Sequence, residues 1–285
     1  MSDKLLTIGM CTYDDFHGTY FTIQALRMFH PICMTDDVEF IVVDNNPESA
    51  QGKAVKDFMR FVKNGKYIPY TERVSTAVRN QVFKNAQGKY CLCLDCHVLL
   101  MPGTLEVLLN YYKENPDCKN IVQGPLVYDA LSGLGYSHFK PVWGKWMYGR
   151  WATDKEGLTG DKPFEIPMQG LGLFSCETKN WLGFSDLFQG FGGEEGYIHE
   201  KFRRHGGKAI CIPQLKWVHR FGRPERPPYP LKAEDRVWNY FIGWLEVTKD
   251  PEDQMIKDIY NVFEKKCKDI DGILKRAIEA SGIQN

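Results

Sequence analysis

Short apolar runs alternate with amphipathic stretches through the first 125 residues, and that alternation leaves few architectures open. The runs KLLTIGMCTY, DVEFIVVDNNP, KYIPY, KYCLCLD and NIVQGPLVY are brief and apolar, with β-branched and aromatic residues prominent, and read as strands. Between them, TYFTIQALRMFH, GKAVKDFMRFVKNG, RVSTAVRNQVFKNAQG and PGTLEVLLNYYKENP place apolar residues near helical spacing. The second and third of these helices are expected to close at Gly65 and Gly88, and the fourth to carry Pro102 near its start. Strands that are apolar on both faces need cover on both faces. The pattern therefore predicts an α/β chain with a mixed, mostly parallel central sheet flanked by helices. Ligands of such sheets bind at the carboxyl ends of the strands. Three of the runs end in acids, at Asp14 and Asp15, at Asp44 and at Asp95, and these tips are expected to meet on one rim.

The rhythm breaks over residues 129–165, which are rich in glycine and aromatic residues and have no clear period. Beyond them GLGLFSCE, KAICIP and LKWVHRF read as strands, TKNWLGF as a short helix and GGEEGYIHEKFRRHGG as a longer one. Residues 232–247 and 251–280 read as C-terminal helices. The expected organisation is one domain over 1–230 and a helical extension over 231–285 packed on it.

The 36 basic residues balance 36 acidic ones, which counts against extensive nucleic-acid binding through net charge. No stretch approaches the roughly 18–20 apolar residues of a membrane span, and the N-terminus lacks the apolar core of a signal peptide. A soluble, cytoplasmic protein is expected. Its nine cysteines are odd in number, scattered and mostly set in apolar runs, as small buried hydrophobes in a reducing compartment are.

Residues 93–97, Cys93-Leu94-Asp95-Cys96-His97, admit three readings. They fit the C-x-x-C-H pattern of covalent haem attachment, which belongs outside the cytosol and so conflicts with the missing export signal. They offer thiolates to zinc, but no second C-x-x-C or downstream H-x-x-x-H completes such a site. The third reading uses Asp95 and His97. A carboxylate where a strand runs out, with an imidazole two residues on, suits a divalent cation carrying a diphosphate; Mg²⁺ and Mn²⁺ take such sites, and imidazole favours Mn²⁺. A plain turn with an exposed histidine fits the tripeptide too.

The surrounding residues carry a resemblance. STAVRNQVFKNAQGKYCLCLDCH resembles the A-R-N-x-G-x-x-x-A-x-G-x-Y-x-x-F-L-D-x-D stretch of family 2-like glycosyltransferases with the GT-A fold, matching at Ala77, Arg79, Asn80, Ala86, Gly88, Tyr90, Leu94 and Asp95. Val82 stands for the usual glycine and His97 for the second aspartate. FIVVDNN is similar to that family's second strand and TIGMCTYDD to its first. FQGFGGEEGYIHEKF resembles the W-G-G-E-D/N segment of galactosyl- and N-acetylgalactosaminyl-transferases, with Phe191 in place of tryptophan, and WVHRFGR resembles the segment carrying their later metal-ligand histidine. Together the matches run over residues 4–223.

The resemblance implies a metal-dependent transferase moving a sugar from a nucleotide-diphosphate donor, by family habit UDP-linked, to an acceptor hydroxyl. It places Asp95, His97 and His219 on Mn²⁺ or Mg²⁺. It places Thr12, Asp15, Asp44 and Arg79 on the donor, and Gly170, Gly192 and Gly193 where the backbone approaches it closely. Glu195 is expected to be the base and Glu194 to bind a sugar hydroxyl, with the reverse as the alternative; a Glu rather than an Asn at position 195 favours inversion. Trp143, Trp146 and Trp151, interleaved with Lys140, Lys145 and Arg150, are candidates for stacking on the acceptor, and Arg220, Arg223 and Arg226 for a basic rim near the diphosphate. The acceptor is left open among a glycan, a protein, a small molecule and a hydroxymethylated base in DNA. A nucleotidyltransferase would want a glycine-rich, lysine-bearing loop after the first strand, and CTYDDFHGTY is not one. A catalytically dead nucleotide-sugar binding module would have no need of the intact Asp95, His97, Glu194, Glu195 and His219.

Overall fold

The computed structural model describes residues 4–129, 135–222, 229 and 231–283. Its first half runs β1 (Lys4–Thr12), α1 (Phe16–Phe29), β2 (Val38–Asp44), α2 (Ala50–Met59), β3 (Gly65–Pro69), α3 (Asn80–Asn85), β4 (Gly88–Asp95), β5 (Val98–Leu100), α4 (Thr104–Glu114) and β6 (Ile121–Gln123). The second half adds β7 (Leu126–Val127), β8 (Gly135–Tyr136), β9 (His138–Trp143), β10 (Tyr148–Ala152), α5 (Lys155–Thr159), β11 (Phe164–Glu165), β12 (Leu173–Glu177), α6 (Glu195–Arg204), β13 (Ala209–Cys211) and β14 (Trp217–His219). Helices α7 (Ala233–Thr248), α8 (Gln254–Phe263) and α9 (Ile270–Ser281) follow.

Eight strands form the central sheet in the order β11-β13-β6-β12-β4-β1-β2-β3. Strands β3, β2, β1 and β4 run parallel, and β12 enters antiparallel between β4 and β6. The sheet is apolar on both faces, as expected. In β4, Cys91 and Cys93 point into one buried cluster while Tyr90, Leu92 and Leu94 point into the other, because successive side chains alternate across a strand. Helices α1, α2 and α4 cover the second face; α6 to α9 bury their apolar sides in the first cluster. Burying a large aliphatic or aromatic side chain contributes about 1.5–3 kcal/mol, so the residues of β2, buried along its whole length, anchor the sheet beneath the rim.

Register brings the acid tips together. Thr12 pairs with Asp44 and Cys11 with Asp95, so β1, β2 and β4 end side by side. A second, four-stranded sheet, β5-β14-β7-β8, sets His219 opposite Val98, and the Arg220 N–H donates to the His97 carbonyl at 3.2 Å. That pairing carries a residue more than 120 positions later in the chain to the end of β4.

Local expectations fail where tertiary contacts take over. Gly88 does not close a helix: α3 stops at Asn85, and Gly88 opens β4 where any side chain would overlap the Thr7 backbone. Gly65 likewise opens β3, while the positive φ of 54° needed for the turn is taken by Asn64. TKNWLGF forms a single 3₁₀ turn at Thr178–Asn180 rather than a helix. The aperiodic stretch contains the antiparallel hairpin β9–β10, whose period is masked by a register shift between Tyr148 and Arg150, at Gly149 with φ 113°.

Candidate functional site

The candidate site is built where β1, β4 and β14 end. Asp95 is the last residue of β4, held there by its N–H donating to the Gly172 carbonyl at 2.9 Å. His97 sits in the turn that follows, and its ring meets that of His219 edge to face, centroids 4.7 Å apart. Asp95 Oδ2 lies 3.4 Å from His219 Nε2. One ligand atom from each of Asp95, His97 and His219 falls within 4.8 Å of the others. This set of one carboxylate and two imidazoles fits a divalent cation of the Mn²⁺ type. Buried His219 Nδ1 takes no hydrogen bond among the described residues.

Asp15 supports this cluster from behind. It caps α1 by accepting from the Gly18 N–H at 2.9 Å, accepts from His97 Nδ1 at 3.0 Å, and receives Arg220 Nη2 at 3.1 Å. Burial alone would raise its carboxyl. The His97 and Gly18 hydrogen bonds and the charges of His97 and Arg220 outweigh that and bring it to about 2. For Asp95 also, burial pushes upward, but the His219 hydrogen bond and the charges of Arg79, His97 and His219 hold it well below the usual carboxylate range.

Arg79 joins two halves of the site. Its Nη2 donates to Asp95 Oδ1 at 2.9 Å, and its Nη1 lies 3.5 Å from Glu194 Oε1. Glu194 is 2% exposed, and its Oε2 takes no hydrogen bond among the described residues. Burial, then the neighbouring charge of Glu195, push the Glu194 carboxyl up to about 8 against the pull of Arg79. Glu195 opens α6 and is also raised by burial, opposed by Arg236 and Arg79. The two acids act as one coupled pair. Burial favours the protonated form of both, and Glu194 is the less exposed of the two.

A cavity of about 110 Å³ lies at the strand ends, and Thr12, Asp15, Arg79, Asp95 and His97 are among its walls. Ser75, Thr76 and Asn45 line it as well and were not anticipated. The buried hydroxyls of Thr12, Ser75 and Thr76 take no hydrogen bond among the described residues. Asp44 stands outside this lining. It is fully buried, and its two oxygens accept from the Asn46 N–H at 2.9 Å and the Tyr67 hydroxyl at 2.8 Å. Its neighbour Asn45 faces the cavity instead.

Gly190, Gly192 and Gly193 adopt φ of 48°, 94° and 93°, conformations that L side chains rarely enter, and so turn the chain sharply into Glu194. Gly170 lies apart from the cavity lining, packed on Phe139 and Trp151. The tryptophans do not form one platform. Trp143 packs on Tyr240 and Phe263, Trp151 on Phe139 and Phe221, and Trp146, 42% exposed, lies under the Lys266 ammonium. Arg220 reaches the site through Asp15, while Arg223 and Arg226 lie outside the described residues. Arg236 and Asn239 of α7 touch the glycine turn and were not anticipated. Asn239 did leave a signal, as an amide inside the apolar run VWNYFIGWL.

The family described as glycosyl transferase family 2 matches residues 7–175. No curated protein matches the chain in sequence. Among solved structures, GalNAc-T7 with UDP, GalNAc and Mn²⁺ superposes with a TM-score of 0.68 at 16% identity, covering 99% of this chain and 55% of that one. The chain thus spans little more than half the length of GalNAc-T7. Mannosyltransferase PcManGT from Pyrobaculum calidifontis, in complex with GDP-Man and Mn²⁺, gives 0.56 at 15% identity, with 98% and 75% covered. S. aureus TarS 1-349 in complex with UDP-GlcNAc gives 0.55 at 13%, with 97% and 80% covered. These likenesses establish the fold, and the family match extends over more than half of the sequence: the protein belongs to glycosyl transferase family 2 and has the GT-A architecture.

Proposed function

We propose that the protein transfers a sugar from a uridine-diphosphate donor to an acceptor hydroxyl, with inversion at the anomeric carbon. The observation that carries this reading is the reach of Arg79 from Asp95 to Glu194, which sets a cation-type cluster and an acid pair side by side at one rim. Asp95, His97 and His219 would hold Mn²⁺ or Mg²⁺. A bound cation supplies Lewis-acid neutralisation of the charge that grows on the leaving diphosphate. Thr12, Ser75 and Thr76, whose hydroxyls have no partner among the described residues, offer them to the nucleoside, beside Asn45. GalNAc-T7 and TarS were solved with UDP and UDP-GlcNAc, which favours uridine over the guanosine of PcManGT.

Glu195 takes the proton of the acceptor hydroxyl. Its partner Glu194, protonated near neutral pH, donates to a sugar hydroxyl and leaves the negative charge of the pair on Glu195. We assign Trp146, the most exposed of the three candidate tryptophans, to the acceptor. We assign residues 1–230 to the transferase domain and 231–285 to a helical extension. No helix among the described residues is long and apolar enough to cross a membrane.

The test is a donor panel. The protein is incubated with Mn²⁺ and UDP-, GDP- and other nucleotide-linked sugars, and thermal shift and slow donor hydrolysis are recorded. UDP-sugars should stand out in both; a response confined to another nucleotide overturns the uridine assignment. Proton NMR of the anomeric centre in the product then decides between inversion and retention.

A further inference from the structure

The turn that presents the two acids is not held by the sheet domain alone. It lies along the first turns of α7. The side chain of Asn239, fully buried, donates from Nδ2 to the carbonyls of Gln189 at 2.7 Å and Gly192 at 2.8 Å, and accepts from the Gln189 N–H at 2.8 Å. One residue earlier, Trp238 donates from Nε1 to the Leu187 carbonyl at 2.7 Å. The three left-handed glycines abut the same helix: Gly190 against Asp235, Gly192 against Arg236, and Gly193 against Asn239. A buried amide is destabilising unless its polar atoms are satisfied. Here both N–H groups and the oxygen all go to one loop. Left-handed backbone persists where the surroundings over-determine it, and this helix supplies those surroundings.

We propose that Asn239 is a positioning residue for catalysis and that the start of α7 is the template on which the Glu194–Glu195 turn is set. The segment after residue 231 is then part of the working site, as well as a cover for the sheet. This rests on Glu195 as the base, since Asn239 touches neither substrate nor the acids and acts only by fixing the chain that leads into them. A shift of about 1 Å in a catalytic group lowers rate by on the order of 10²-fold, so loss of the clamp should read out in turnover rather than in donor binding.

The experiment compares Asn239→Ala, Asn239→Asp and Trp238→Phe with the full-length wild type. Four quantities are measured: kcat, the Kd for UDP with Mn²⁺, the melting temperature and the circular dichroism spectrum. Asn239→Ala should lower kcat by roughly 10²-fold while the UDP Kd stays within about threefold of wild type and the spectrum is unchanged. Asn239→Asp keeps the size and the acceptor but loses both donors, and should be as slow. A kcat within threefold of wild type for both variants overturns the proposal. So does a parallel fall in kcat, UDP affinity and melting temperature, the mark of a merely structural amide. If the Asn239 variants do not fold, Trp238→Phe, which removes one hydrogen bond from the partly exposed side of the same loop, decides by the same split. Glu195→Gln is assayed alongside. Wild-type turnover in that variant rejects the base assignment itself and is read separately from the Asn239 series.

Discussion

Asp15 accepts a hydrogen bond from His97 Nδ1 at 3.0 Å. A carboxylate only accepts, so the proton of this hydrogen bond sits on Nδ1, and Nε2 is the nitrogen that would serve as ligand in the proposed cation site. The same carboxylate caps α1, which ties the histidine's orientation to a helix end. Asp15→Asn is expected to weaken Mn²⁺ binding about 10–100-fold, the usual effect of losing such a support. Asparagine is itself a good N-cap, so the capping of α1 should survive while the charge pairing with Arg220 is lost. Calorimetric titration of Mn²⁺ in the presence of UDP, set beside the melting temperature, separates the two effects.

Removing the cation should abolish sugar transfer. Excess EDTA is expected to stop the reaction and added Mn²⁺ to restore it, with His219→Ala shifting the Mn²⁺ concentration for half-maximal rate well above that of the wild type. Full activity in EDTA would falsify the cation assignment for Asp95, His97 and His219.

Glu195→Gln keeps the shape of the proposed base and removes its basicity. Turnover should fall by about 10²–10⁴-fold, with the UDP-sugar Kd nearly unchanged. A dead Glu194→Gln beside an active Glu195→Gln reverses the two roles, and activity in both removes the acid pair from the reaction.

Glu194 also makes a statement about stability. Its carboxyl, buried and pushed up to about 8, binds its proton more tightly folded than unfolded, where it titrates at the ordinary value of 4.5. The stability tied to that proton is complete below pH 4.5 and is lost as pH rises through 8. In the cation-free protein, Glu194→Gln, which carries its hydrogens at every pH, should therefore melt several degrees above the wild type at pH 9. At pH 5 the two should melt together. Equal melting temperatures at pH 9 would contradict the raised carboxyl.

The parts of the molecule that were legible in sequence are those fixed by local pattern. Two-sided apolar strands gave the sheet, and the acid at the end of each gave the rim, with Asp95, His97, Glu194 and His219 brought together as expected. What stayed hidden depends on packing between distant segments. The boundary at Gly88 follows from its contact with Thr7, which no helix signal encodes. The resemblance places Asp44 on the donor, and in the fold Tyr67 and Asn46 donate to both its oxygens. Ser75 and Thr76 gain meaning only when the loop before α3 bridges to Gly190. Of the three tryptophans, near in sequence, Trp143 and Trp146 both reach Phe263 of α8, while Trp151 turns to Phe139 within the hairpin.

The even ends of β1, β2 and β4 bear on how this enzyme can be redesigned. Backbone hydrogen bonds fix their register, and a slip of one residue would turn every apolar side chain of a strand to the wrong face. The frame of the rim is thereby insulated from drift, while residues 12, 45, 75 and 76 occupy positions whose side chains carry little of the core. Under the proposed function, nucleotide preference and the apolar core thus fall largely to different residues. On that reading, a library at positions 12, 75 and 76 explores new nucleotide specificities, with Asn45 kept because its Nδ2 holds the Tyr70 and Arg73 carbonyls.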